Sequence, residues 1–281
     1  MNQRAFFAVV LCAILAGTNG IFIKNMESLN ANSIAWLRSS IPTVILAVWM
    51  IYAKIPFFRG NYPKMLFASF LNAIRMYLYL VAFIYTSIGN AVIIFYSWPI
   101  FVTIMSAITL REKIRWNQVL LLITAFVGLV IAYSDKEFTF EDRDFIGMLA
   151  ALLSSLVYAW TVIIFKSESN NYRRNEIIFY QNLAGLVLFL PFFIFQFPKA
   201  ELIDLQIGFV YSVLVGLVIF NLFFYGLKYL RASAASSIMY IEVVCALIFS
   251  YLWFDDPLSI NMIIGGSLIL ISSFFINRLK R

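Results

Sequence analysis

The sequence predicts an all-α integral membrane protein of ten transmembrane helices, arranged as two inverted five-helix repeats with both termini in the cytoplasm. Composition, the distribution of positive charge and a weak internal similarity lead to this prediction. Of the 281 residues, 63% are hydrophobic and 12% are charged, whereas a soluble domain is about half apolar and a quarter charged. A chain this apolar cannot cover a water-facing surface with polar groups, so we expect lipid around it.

Runs of apolar residues recur along the whole chain, each close to the roughly 20 residues that an α-helix needs to cross a bilayer. Lipid offers no hydrogen bonds, so each span must satisfy its own backbone groups. The first run lacks a small-residue cleavage site, so we expect a retained helix and not a secretion signal. The ten predicted spans are 5–24, 31–52, 64–85, 88–109, 115–133, 145–166, 175–196, 206–228, 232–253 and 258–277.

The basic residues predict how these spans are oriented. With the N-terminus in the cytoplasm, 15 of the 21 Lys and Arg residues fall in cytoplasmic segments and four in outer loops, while Arg38 and Arg75 lie within spans. Cytoplasmic loops of membrane proteins carry this excess of positive charge, which predicts cytoplasmic termini and an even number of spans. The formal charge of +7 therefore reflects topology, and we expect no nucleic-acid partner.

The two halves of the chain are weakly similar at a shift of 144 residues. Residues 85–96 correspond to residues 229–240, and Glu112 meets Asp256 at the same shift. This predicts two repeats, residues 1–137 and 138–281. Each repeat holds five spans, an odd number, so the second copy is inverted in the membrane. Inverted repeats are typical of transporters, in which the two copies can open alternately around one central site.

Six short stretches carry a family resemblance: Ile34–Arg38, Tyr77–Ala82, Trp98-Pro99, Leu110–Ile114, Tyr225–Tyr229 and Ile241–Val243. Together they resemble the drug/metabolite transporter superfamily, and specifically its ten-helix EamA-type members. The resemblance covers nearly the whole chain and implies transport of amino acids, nucleosides, drugs or related metabolites. The family often has Glu-Pro in the fourth and ninth helices, where this sequence has Trp98-Pro99 and Glu242-Val243.

Glu242 is the one acidic residue well inside a predicted span, near the middle of the ninth. A charged side chain at the bilayer centre costs about 2.5–3.5 kcal/mol on insertion scales, so it should face a cavity or a partner. We expect a carboxylate that binds a cation or carries a coupling proton. The alternative is a structural ion pair or a hydrogen bond between helices.

Arg75 lies in the middle of the third predicted span, and Asn72 lies one turn before it. Its planar guanidinium could bind a substrate carboxylate or phosphate through two parallel hydrogen bonds, with Asn72 sharing the cavity. Alternatively, Arg75 is a fixed counter-ion of Glu242. Arg38 lies nearer the end of its span, and we expect it to extend to the membrane interface or to cap a neighbouring helix.

Aromatic side chains are the remaining candidates for the solute site. Trp98 corresponds to Glu242 across the repeat, so we expect both near one axis. With Tyr79 and Tyr240, it would form a wall that binds planar or cationic solutes. Other candidates for this wall could equally pack between helices or lie at the membrane interface; these are Trp36, Tyr96, Tyr158 and Trp160.

Other classes of function lack their residues. The chain has no histidine, and Cys12 and Cys245 each lie in an apolar run, so we expect buried thiols, no metal site and no cofactor. A phosphate-binding Gly-x-x-x-x-Gly-Lys-Ser/Thr loop is missing, which disfavours an ATP-driven pump. The spans hold no paired aspartates and no Ser/His arrangement, so we do not expect an enzyme.

The sequence therefore predicts a secondary transporter that moves a small metabolite, an amino acid or a related zwitterion, across the inner membrane by alternating access and in the export direction. The expected partners are this solute, the lipid bilayer and a coupling proton, and the protein is a monomer or a homodimer. A transporter of lipophilic or quaternary cations and a non-transporting membrane scaffold remain as alternatives.

Overall fold

A computed structural model describes residues 2–134, 142–255 and 257–278, and these residues are helical with short connections. Asp256, the predicted counterpart of Glu112, lies outside the described residues, as do basic residues Lys136, Lys280 and Arg281. The helices are α1 Gln3–Ala16, α2 Asn19–Lys24, α3 Ala31–Tyr52, α4 Tyr62–Tyr85, α5 Ile88–Phe95, α6 Trp98–Thr109, α7 Trp116–Ala132, α8 Asp142–Glu168, α9 Arg174–Leu188, α10 Leu190–Gln196, α11 Leu202–Val213, α12 Phe220–Tyr229, α13 Ala232–Ile238, α14 Ile241–Phe254 and α15 Ile260–Arg278.

Seven helical stretches of the described chain are long and apolar enough to cross a membrane. An eighth span forms if α9 and the following helix are counted together, although they meet at an angle of 55°. Two further apolar helices, Trp116–Ala132 and Ile260–Ile276, are shorter than these spans. The protein is therefore a multi-pass membrane protein, and the count of ten spans stays a prediction. The seven spans are Gln3–Lys24, Ala31–Tyr52, Tyr62–Tyr85, Asn90–Thr109, Asp144–Glu168, Leu202–Tyr229 and Ala232–Phe254.

Two of the predicted spans, 88–109 and 232–253, are each broken near the middle. The first breaks between α5 and α6, where Pro99 occupies the second position of the new helix and has no N–H to continue the old one. The second breaks between α13 and α14, after a serine-rich stretch in which Ser236 and Ser237 donate to the Ser233 carbonyl. Such side-chain bonds compete with helical ones.

A stretch of π-helix, Leu214–Ile219, joins α11 to α12. It passes close to the proline of α3, since a Cβ added at Gly216 would lie 2.2 Å from Pro42 Cγ. A π-helix holds one more residue per hydrogen-bonded turn than an α-helix, and such stretches are frequent at functional sites. Here it lies beside the part of α3 that carries Arg38.

Close packing of α7 against α15 depends on two glycines. A Cβ added at Gly265 would lie 2.2 Å from the Gly128 carbonyl oxygen, and one added at Gly128 would lie 2.7 Å from the Gly265 oxygen. The two backbones therefore touch directly, as small residues permit in membrane helix pairs. Elsewhere α4 packs against α8 and α9, and α1 packs against α12.

An ion-pair cluster ties the connection between α3 and α4 to the connection between α8 and α9. Arg59 donates from Nε and from Nη2 to the two oxygens of Glu176, at 2.6 and 2.7 Å. Lys64 lies 2.9 Å from Glu168. Hydrogen bonding to Glu176 raises the pKa of Arg59 against the opposing effect of burial, and the two hydrogen bonds hold the connection against the bundle.

Candidate functional site

Three charged side chains on different helices interact inside the bundle. Arg75 of α4 is 6% exposed, and its charge is repelled by that of Arg38 on α3. Both arginines attract the carboxylate of Glu242, in the first turn of α14. Glu242 is partly exposed, although it belongs to a membrane span. The structure thus brings together the two charges singled out in the sequence and adds a third.

The neighbours of Arg75 are uncharged. Its Nη2 donates to Asn72 Oδ1 at 3.0 Å, and its guanidinium carbon lies 4.5 Å from the centre of the Tyr158 ring. Asn72 is held in turn, because its Nδ2 donates to the Gln181 carbonyl at 2.9 Å. The buried Nε of Arg75 has no hydrogen-bond partner in the described structure. Asn72 therefore orients Arg75 without neutralising it.

Glu242 also has polar, uncharged neighbours. Asn19 Nδ2 donates to its Oε1 at 3.4 Å, and the Tyr96 hydroxyl lies beside the carboxylate. The Oδ1 atom of the same Asn19 side chain is buried and has no hydrogen-bond partner among the described residues. The ion pairs found in the described chain lie elsewhere, so Arg75 is not a direct counter-ion of Glu242 in this conformation.

The expectation that Arg38 extends to the membrane interface is wrong. Its guanidinium carbon lies 5.6 Å from the centre of the Phe220 ring, and the buried Tyr211 hydroxyl lies beside it. The reason is the helical face on which it lies. Ile34 and Pro42, four residues before and after it, are both buried, and residues at this spacing share one face of a helix.

The three predicted wall residues occupy different places. Tyr79 is partly exposed and lies within the fields of both Arg75 and Glu242. Trp98 is 3% exposed and packs edge-on against the Tyr158 ring, with ring centres 4.8 Å apart. Tyr240 is fully buried. Its hydroxyl donates to the Tyr96 carbonyl at 2.8 Å, which ties the two helix breaks together.

Two other tryptophans lie apart from the charges. Trp36 stacks on Phe193 with ring centres 4.0 Å apart and donates to the Leu186 carbonyl at 3.0 Å, so it joins helices. Trp160 is 46% exposed on the outside of the bundle. Sequence reasoning missed Tyr211, for which the chain gives no local signal.

The profile of the EamA-like transporter family matches this chain twice, over residues 3–134 and 145–278. The chain belongs to the EamA-like transporter family. This confirms the resemblance drawn from the sequence motifs. The protein is a membrane transporter of small molecules and not an enzyme.

Curated relatives align along almost the whole EamA-like chain. An uncharacterized transporter of Archaeoglobus fulgidus is 26% identical over 94% of this chain and 92% of its own. An S-adenosylmethionine uptake transporter of Rickettsia bellii is 22% identical, covering 95% and 91%. The pseudopaline exporter CntI of Pseudomonas aeruginosa is 24% identical, covering 97% and 96%. A solved crystal structure superposes over 100% of both chains with a TM-score of 0.86 at 15% identity, which supports the same fold.

Proposed function

We propose that this EamA-like protein is a secondary transporter of amino-acid-type zwitterions that works by alternating access across the inner membrane. The observation that carries the proposal is the pair Arg75 and Glu242, which are opposite charges at one site with no direct contact between them. A solute carboxylate fits the guanidinium fork of Arg75, and a solute ammonium fits Glu242. In this proposal Glu242 also takes up the coupling proton when no solute is bound.

The proposed architecture is two inverted repeats of five spans with cytoplasmic termini. Three observations support it. The family profile matches each half separately, and the two helix breaks, at residues 96–97 and 239–240, lie 143 residues apart, within one residue of the repeat shift. Loop contacts also correspond at the shift of 144 residues, which relates Ser28 to Tyr172 and Gly60 to Asp204. Asp204 accepts from Ser28 Oγ at 2.6 Å, and Tyr172 donates to the Arg59 carbonyl, beside Gly60, at 2.6 Å.

In this orientation, the conformation of the described chain is closed at the cytoplasmic end. Glu112 accepts from the Ala232 backbone N–H at 2.7 Å and from Ser233 Oγ at 3.0 Å. Lys166 Nζ donates to the Leu227 and Leu230 carbonyls at 2.5 and 2.7 Å. Here α6 packs against α13, whereas no comparable packing joins α5 to α14 among the described residues. We propose that these contacts break when the site opens inward.

The proposal is tested with purified protein in liposomes, by exchange of labelled amino acids. We expect Glu242→Gln and Arg75→Gln each to lower exchange at least tenfold, because a hydrogen bond to a charged group contributes about 1.5–3 kcal/mol. The exposed Arg4 gives a matched control, Arg4→Gln, which should keep full exchange. Wild-type exchange in Glu242→Gln, or transport of cationic dyes in place of amino acids, would contradict the proposal. We propose export as the direction of transport. Flux measured under a gradient imposed in one direction and then in the other tests this direction.

A further inference from the structure

We infer that the preferred solute carries two carboxylates and one ammonium group, as L-glutamate does, and that Arg38 and Arg75 each bind one carboxylate. This rests on the transport function proposed above and specifies its substrate class. The sequence motifs did not lead to it, because they left Arg38 outside the site.

The charged side chains of the site do not cancel one another. Two guanidiniums and one carboxylate interact there, and together they carry one formal positive charge. A simple zwitterion is neutral and leaves that charge in place. A solute with two carboxylates and one ammonium carries one negative charge and neutralises the site, which matters because an uncompensated charge inside a membrane protein is expensive.

Neither arginine has a carboxylate partner in the described chain. Arg75 contacts Asn72 and the Tyr158 ring, and Arg38 lies against the Phe220 ring and beside the Tyr211 hydroxyl. The Nε atoms of both arginines are buried and have no hydrogen-bond partner among the described residues. Buried polar atoms are normally paired, so each guanidinium still has a donor available for a ligand.

Two tyrosine rings lie near the charged groups. Tyr158 and Tyr211 are each within the fields of Arg38, Arg75 and Glu242, and the Tyr158 ring centre lies 4.5 Å from the Arg75 guanidinium carbon. An anionic group between the arginines would relieve their mutual repulsion. The unpartnered Oδ1 of Asn19 belongs to the side chain that contacts Glu242. The two acceptors can share the hydrogens of one ammonium group.

The experiment compares L-glutamate with L-glutamine, which differ by one carboxylate, and L-aspartate with L-asparagine. Each is tested for exchange by the full-length protein in liposomes and as a competitor. For wild type we expect the acid to be preferred at least tenfold over its amide, because each charged hydrogen bond changes affinity by about that factor. In Arg38→Gln the preference should fall to near one, because exchange of the acid should fall more than exchange of the amide.

Two control variants and two control measurements accompany this comparison. Arg38→Lys keeps the charge and should retain part of the preference, while Arg4→Gln should leave it unchanged. Thermal unfolding in detergent checks that each variant is folded, and glutamine exchange by Arg38→Gln checks that it still transports.

The inference is overturned if wild type exchanges acid and amide equally in both pairs, or if Arg38→Gln keeps the wild-type preference. In either case, glutamine exchange that depends on Glu242 would leave the proposed function intact. Competition by inorganic phosphate as strong as that by glutamate, and unaffected by Glu242→Gln, also overturns it, since the site would then bind simple anions.

Discussion

Replacing Gly265 with alanine should separate two helices that now touch through their backbones. The added Cβ would lie 2.2 Å from the Gly128 carbonyl oxygen, 2.6 Å from the Ala132 nitrogen and 2.8 Å from the Ala132 Cβ. Relaxed contacts of this kind are longer than 3.4 Å, so α7 and α15 must move apart by about 1 Å. Backbone atoms cannot rotate away as a side chain can.

Overpacking of this kind costs about 1–3 kcal/mol, and we expect the upper end because the obstructing atoms are backbone. The next residue provides the control. A Cβ at Gly266 would meet Val244 at 3.6 Å, an ordinary contact, and alanine is favoured over glycine within a helix by about 0.5–1 kcal/mol. Two neighbouring Gly→Ala substitutions should therefore change stability in opposite directions.

Unfolding of each variant is measured by circular dichroism in detergent, with heat and with increasing denaturant. The midpoint should fall for Gly265→Ala and rise for Gly266→Ala. Equal midpoints for the two variants would refute this account of how α7 and α15 pack.

Three further predictions concern contacts outside the charged site. Glu112→Gln weakens the bonds to the N-terminus of α13, including the one from Ser233. Labelling of a cysteine introduced nearby, from the side proposed to be cytoplasmic, should therefore increase, and unchanged labelling would count against the proposed closure. Tyr240→Phe leaves the Tyr96 carbonyl without its donor and should cost about 1–3 kcal/mol in thermal unfolding, whereas no loss would mean that the carbonyl finds another partner. Arg59→Gln removes the Arg59 ion pair and should increase proteolysis of the connection before α4, and an unchanged cleavage rate would show that other contacts hold it.

Hydropathy was enough to predict the membrane class, and each predicted span overlaps a helix of the described chain, because lipid imposes the length and composition of each span. It could not predict the breaks at residues 96–97 and 239–240. Proline and serine are tolerated inside many membrane helices, so their presence alone does not tell a break from a bend. Whether such a residue breaks its helix depends on how the helical segments on either side of it pack against neighbouring helices.

The candidate site could be predicted in part. The cost of a charge in lipid was enough to single out Arg75 and Glu242. The inward direction of Arg38 depends on which face of α3 the neighbouring helices cover, and the first turns of a span are also where arginine commonly extends to the interface. Tyr211 is one of many aromatic residues, and only its contact with Arg38 distinguishes it.

The π-helical stretch Leu214–Ile219 has a consequence for the arginine beside it. Tyr211 precedes this stretch and Phe220 follows it, so the two rings that flank Arg38 belong to differently wound parts of one span. Rewinding the stretch as ordinary α-helix would turn one ring relative to the other by about a quarter of a rotation, roughly the angle between successive residues. Arg38 would then keep one aromatic neighbour and lose the other, which makes the pitch of this span a control on the arginine's position.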